Sequence, residues 1–144
     1  MDGITLEKTF ISGESRLSDI RFFTEKIVEK LSEISANPNA IKNRMDEIIL
    51  AVNETAANVF IHAYGGSAGK ELTIRAEGAP QKLIFHFFDK GDAFHMDNVT
   101  LPLFNGQKES GFGLYIIKEL ADNFIYEKTN EGYNHTVMFF SFIP

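Results

Sequence analysis

The chain has no cysteine and no tryptophan, only four prolines, and no long apolar run. Without cysteine, disulfides, thiolate nucleophiles and Cys-ligated zinc are excluded. No stretch approaches the roughly 18 consecutive apolar residues of a membrane span. Met1 to Lys8 lacks the charged-then-apolar pattern of a secretory signal. Basic charge is also scarce: 14 Lys and Arg stand against 20 Asp and Glu, a net charge of −6. A nucleic-acid binder needs a basic stripe to displace counterions, and none stands out, so no direct nucleic-acid contact is expected. An acidic surface suits solubility or a basic protein partner. The four histidines, His62, His86, His95 and His135, are far apart, with no H-E-x-x-H spacing. These absences together give the expectation of a cytoplasmic protein with no membrane segment.

What is present suits an ordinary globular protein. The 144 residues are 44% hydrophobic and 24% charged, enough apolar material for a real core in one domain, 1–144. Ile4 to Ile11 alternates as a strand. Leu17, Ile20, Ile27, Leu31 and Ile34 recur at helical spacing, with Ser15 or Ser18 as a candidate cap. Asn37-Pro38-Asn39 breaks the chain. The strongest helical pattern runs from about Ala40 to Ala63, and Gly65-Gly66 follows where helices commonly end. Two strands, about Glu71–Glu77 and Lys82–Asp89, are joined by Gly78-Ala79-Pro80-Gln81. The pattern is lost from Lys90 to Ser110, a long connection. A helix opens near Gly111-Phe112-Gly113. A second hairpin, about Phe124–Lys128 and His135–Ile143, turns at Asn130-Glu131-Gly132. Hairpins with helices between them predict an α+β fold, one sheet with helices on one face. Val137 to Ile143 of the last strand is apolar on both parities except Ser141, which predicts a strand that is central or covered on both sides.

Three groups of residues carry candidate chemistry. Glu54, Asn58 and His62 are spaced i, i+4, i+8 on the long helix, in one row off the apolar stripe. A carboxylate near an amide oxygen can serve a hard cation and a proton; a solvated helix face gives the same pattern. Asp89-Lys90-Gly91 ends a very apolar strand. A carboxylate there needs a donor, such as the amino group of a bound base, unless it merely closes a turn. His86 within that strand suits a hydrogen-bonded core or edge histidine better than a ligand. Ser110-Gly111-Phe112-Gly113 precedes helical residues, so its backbone N–H groups could approach an anion; a capped loop reads the same. Lys108 could add positive charge for a phosphate, or be solvated. Neither a P-loop nor a full Rossmann fingerprint is present.

The order of these pieces resembles the nucleotide-binding fold shared by gyrase, the ninety-kilodalton heat-shock chaperone, histidine kinases and the mismatch-repair ATPases. Within it the chain is most similar to the bacterial anti-sigma factor serine/threonine-protein kinases. The run Asn53-Glu54-Thr55-Ala56-Ala57-Asn58-Val59-Phe60-Ile61-His62-Ala63-Tyr64 resembles their helix motif, and Pro102-Leu103-Phe104 their lid. The likeness covers nearly the whole chain, and a domain without transducer or dimerisation segments fits that subfamily. It implies the Bergerat, histidine-kinase-like ATPase fold: a two-layer α+β sandwich with a mixed, mainly antiparallel sheet.

The resemblance also implies roles. Asn58 would hold Mg²⁺, and Glu54 would be the general base for a serine or threonine hydroxyl. Asp89, with Gly91 beside it, would accept from the adenine amino group of ATP or ADP. Gly111 and Gly113 would line the triphosphate, with Lys108 the lid's cation, and Thr136 would lie near the adenine. Arg21 falls where the family has an arginine used in partner contact and phosphotransfer. The implied partners are a sigma factor and an antagonist protein, and the implied assembly is a homodimer. The chain departs from the pattern at three places, the first a lid that is slightly short and poor in basic residues, with Lys108 its only cation after Lys90. Ala93 stands at the second glycine of Asp-x-Gly-x-Gly, where a methyl group and restricted φ could stiffen the lid hinge or crowd the ligand. Asn134-His135 replaces the usual Gly-Thr before Thr136. A kinase that sequesters a sigma factor is therefore weighed against a nucleotide-holding switch that transfers no phosphate. A detached histidine-kinase catalytic domain fits less well, since the phospho-acceptor helix pair is absent.

Overall fold

The computed structural model describes residues 3–91, 117–129 and 131–142. Strand β1 (Ile4–Ile11) leads to α1 (Leu17–Ile34), α2 (Pro38–Lys42) and α3 (Met45–Asn58). A π-helical turn (Val59–Ala63) extends α3. Then come β2 (Glu71–Ala79), β3 (Lys82–Asp89), helical residues 117–120, β4 (Asn123–Lys128) and β5 (Asn134–Ser141). The sheet order is β1-β2-β3-β5-β4. Every described pairing is antiparallel, so the mixed sheet expected from the resemblance is wholly antiparallel among the described residues.

Period-2 alternation buries one face of the sheet. Phe10, Leu72, Ile74, Ala76, Leu83, Phe85, Phe87, Met138 and Phe140 meet Ile20, Ile27, Leu31, Ile48, Val52 and Ala56 from the helices in one core. The opposite parity holds Thr73, Arg75, Glu77, His86, Phe88 and His135, all half-buried. The result is a two-layer α+β sandwich. Strand β5 lies between β3 and β4, as its double-sided apolarity requires.

The helices depart from the sequence pattern in three ways. The cap of α1 is Arg16: its N–H donates to Oδ2 of Asp19 at 2.8 Å, while Ser15 Oγ accepts from Ile11 N at the end of β1. Asn37-Pro38 opens a helix instead of only breaking one. Asn37 accepts from Ala40 N, and Pro38 sits in the first turn, where its missing N–H costs nothing. The long helix from Ala40 is interrupted at Asn43-Arg44. There the Arg44 guanidinium donates to the carbonyls of Leu120 (2.9 Å) and Ser141 (3.1 Å) and pairs with Asp122 (3.0 Å) and Glu47 (3.2 Å). One arginine thus ties the α2–α3 junction to the ends of residues 117–120 and of β5.

Candidate functional site

Helix α3 changes winding at the point that matters for the site. Beyond Asn58 the chain passes into the π-helical turn, where Tyr64 N donates to Val59 O at 3.0 Å. Such turns concentrate at functional sites. Gly65 and Gly66 then leave the helix at φ of 59° and 77°, a region only glycine enters freely. Tyr64 fastens this end to the sheet. Its hydroxyl donates to the Glu71 carbonyl and accepts from Lys90 N, the latter at 2.8 Å. Burial raises the Tyr64 pKa, so the phenol keeps its proton for this bridge.

Asp89, the last residue of β3, is 2% exposed. Its Oδ1 accepts from Gly91 N at 2.9 Å and from Asn134 Nδ2 at 2.8 Å. Both of its hydrogen bonds among the described residues go to that oxygen, which leaves Oδ2 without a described donor. Burial pushes the Asp89 carboxyl above its ordinary range, and the Asn134 and Gly91 hydrogen bonds oppose the rise. Gly91 is required by close approach. A Cβ built on it would lie 2.5 Å from the Ala63 carbonyl oxygen, so the chain after Asp89 lies directly on the π-helical turn.

A narrow cleft opens between these parts, walled by Thr55, Asn58, Val59 and Ala63 from the helix, Asp89 and Thr136 from the sheet, and Ile117, Phe124 and Tyr126. Its volume is about 30 Å³, room for a water or two, so a purine enters only if the cleft opens further. The donor set fits an adenine nucleotide. A buried carboxylate with one oxygen lacking a donor among the described residues suits an exocyclic amine, a buried hydroxyl (Thr136, 4% exposed) lines the same cleft, and an apolar wall suits a ring. Asn58 offers a hard oxygen for Mg²⁺ at the other side.

Of the residues expected from sequence, Asn58, Asp89 and Thr136 line one cleft, with Gly91 hydrogen-bonded to Asp89. Glu54 is half-buried one turn before Asn58 and does not line the described cleft. Arg21 lies outside it on α1, in an exposed pair with Glu25 at 3.0 Å. Ala93, Lys108, Gly111, Gly113 and the Pro102-Leu103-Phe104 lid lie outside the described residues. His86 is a hydrogen-bonded sheet histidine: its Nδ1 meets His135 Nε2 at 2.9 Å, and the Glu77 carboxylate lies against Nε2. Sequence reasoning missed Tyr64, Ala63 and Asn134 as parts of the site, and Arg44 as its distant anchor.

A sequence model described as a histidine kinase-like ATPase domain matches residues 18–140. The chain belongs to the histidine kinase-like ATPase domain family. The match spans α1 through almost all of β5, so it includes both the helix carrying Asn58 and the strand end carrying Asp89. No curated protein matches the chain. Membership implies that the domain binds an adenine nucleotide. Among the described residues, no helix is long and apolar enough to cross a membrane.

Proposed function

We propose that this histidine kinase-like ATPase domain is a cytoplasmic anti-sigma regulator. It binds ATP or ADP with Mg²⁺, sequesters a sigma factor, and phosphorylates a serine or threonine of an antagonist protein, working as a homodimer. The observation that carries the nucleotide part is Asp89: a carboxylate 2% exposed, with one oxygen filled and the other without a donor among the described residues, in the wall of a cleft that also takes in Asn58. The sigma-factor and kinase parts rest on the resemblance of the Asn53–Tyr64 run.

Bound Mg-ATP supplies the phosphoryl group and a cation that neutralises phosphate charge. The chain's own part is positioning. Asp89 accepts the base amine, the Thr136 hydroxyl lies beside it, and Asn58 offers its side-chain oxygen to the cation. Glu54, one turn earlier, takes the proton of the attacking hydroxyl. Ala93, in place of a glycine at the lid hinge, favours a second reading, a nucleotide-dependent partner-binding switch without transfer.

Thermal unfolding with and without nucleotide tests the base of this proposal. A ligand held only by the native state raises the melting temperature, by about 2.7 kcal/mol of stability at a hundredfold excess over Kd. Saturating Mg-ATP or Mg-ADP is expected to do so, and GTP to do far less. No shift with either adenine nucleotide rejects the proposal. Capture of a sigma factor that depends on nucleotide supports the partner assignment.

A further inference from the structure

Asn134 opens β5 directly across from Asp89 and is 1% exposed. Its Nδ2 donates to Oδ1 of Asp89 at 2.8 Å and to the Gly91 carbonyl at 2.9 Å. The amide cannot be turned over, because its oxygen would then face a carboxylate and a carbonyl. Its own Oδ1 is buried without a donor among the described residues. A buried amide left half-unpaired is costly, and packing alone would be served by a smaller residue. The side chain is therefore held there by its two donations, both to the turn that carries the cleft carboxylate.

We infer that Asn134 is the positioning residue of the base-reading carboxylate: its amide fills Oδ1 of Asp89 and holds the Gly91 carbonyl, so that Oδ2 alone is left to accept a purine amino group. This rests on the adenine-nucleotide reading above. The effect is electrostatic as well as geometric. The Asp89 carboxyl is raised by burial, and the two neutral donors, Asn134 and Gly91 N–H, resist that rise. Helix α3 faces it with the uncharged Thr55 and Asn58, β5 with Thr136, and β4 with the Tyr126 phenol. Glu71 of β2 and Tyr64 stand nearby through the Tyr64 bridge, and the Lys90 ammonium is engaged 4.7 Å over the Tyr133 ring. Among the described residues, then, no cation holds Asp89 ionised; Asn134 and Gly91 do.

The test is the isosteric change Asn134→Asp, read as ADP affinity against pH. In the native protein affinity should fall as pH is lowered and Asp89 takes up a proton. In Asn134→Asp, the protonated acid still offers an O–H to Asp89, whereas its ionised form sets two carboxylates together, a coupled pair. Affinity should therefore fall as pH is raised, the opposite sign, and be at least about tenfold weaker than native near neutrality. A merely structural role would leave the sign unchanged, and that outcome overturns the inference. Carbon-13 NMR of the Asp89 carboxyl in the unliganded protein gives a second reading, with Asn134→Ala as the variant. A titration moved to higher pH in Asn134→Ala supports the inference; an unmoved one overturns it. If the native protein binds no ADP, the nucleotide reading fails, and the carboxyl titration still decides the role of Asn134.

Discussion

Gly91 lies directly on Ala63: a methyl group added to it would come within 2.5 Å of the Ala63 carbonyl oxygen and 2.7 Å of its Cβ. The turn after β3 and the π-helical end of α3 are thus pressed together, next to the cleft that Ala63 and Asp89 both line. Two of the neighbours are backbone atoms, which cannot rotate aside. Gly91→Ala should push the turn off the helix, breaking the Gly91 N–H bond to Asp89 or the Tyr64 bridge to Lys90 N. Overpacking of this kind costs about 1–3 kcal/mol. The expected result is a lowered melting temperature and weakened ATP binding together, measured by calorimetry on the same sample. Unchanged affinity would show that the contact does not shape the cleft.

Asp89 is buried at a cost to the fold. Its pKa is raised by burial above the ordinary 3.8, so the folded chain binds the proton more tightly than the unfolded one. Between 3.8 and the raised value the native state holds more protons, and stability falls as pH rises through that window. Above the raised value the penalty is fully present. Asp89→Asn keeps an oxygen for both Gly91 N–H and Asn134 and removes the buried charge. It should therefore raise the melting temperature without nucleotide. It also turns an acceptor into an N–H donor at the cleft, which suits a base carbonyl better than an amine. ATP affinity should drop by about 1–3 kcal/mol, while GTP gains relative to ATP. Equal loss for both bases would show that the carboxylate does not read the base.

The strands were legible because their signals are local: Lys82–Asp89 is a very apolar run bounded by the turn residues Gly78-Ala79-Pro80-Gln81 and by Lys90-Gly91, and both of its ends read correctly from sequence. The cleft residues Asn58, Asp89 and Thr136 were legible through the order of motifs, since no one of them carries a signal alone. The break at Asn43-Arg44 was hidden because the apolar stripe continues through it. Its cause, the reach of Arg44 to Leu120 and Ser141, spans most of the chain. The π-helical turn was hidden for a similar reason, since Val59 and Ala63 still face the core. Asn134 reads locally as a turn residue before a strand. Only the pairing of β3 with β5 sets it against Asp89.

On the sheet face away from the helices, His86 joins β3 to β5 through His135 and to β2 through Glu77, with the Phe88 ring stacked 4.5 Å from His135. Burial lowers the His86 pKa below the ordinary 6.5; Glu77 opposes this, and Arg75 and His135 add to it. The unfolded chain thus takes up the proton first. Stability contributed by the neutral ring is present above about pH 6.5 and is lost as pH falls through the lowered folded value. Denaturant unfolding from pH 8 to pH 5 should show this loss. His86→Phe keeps the ring and removes the titration, so its stability should change less over the same range. An equally steep decline in both proteins would assign the acid sensitivity to other groups.

The last expectation separates a kinase from a switch. Glu54 and Asn58 stand one helical turn apart on α3, both half-buried, with Asn58 in the cleft wall and Glu54 just beyond it. That spacing lets Asn58 serve the cation while Glu54 meets a hydroxyl arriving from a partner. A general base contributes about 10²–10⁴-fold in rate and little to nucleotide binding. Glu54→Gln keeps the shape and removes the proton acceptor. Transfer of labelled phosphate from ATP to a serine of the antagonist protein should fall by at least about a hundredfold, with ATP affinity within a few fold of native. Asn58→Ala should instead lose the Mg²⁺-dependent part of binding and transfer together. If native and Glu54→Gln chains transfer equally, Glu54 is not the base. If neither transfers while both bind ATP and the partner, the protein is a nucleotide-holding switch that transfers no phosphate.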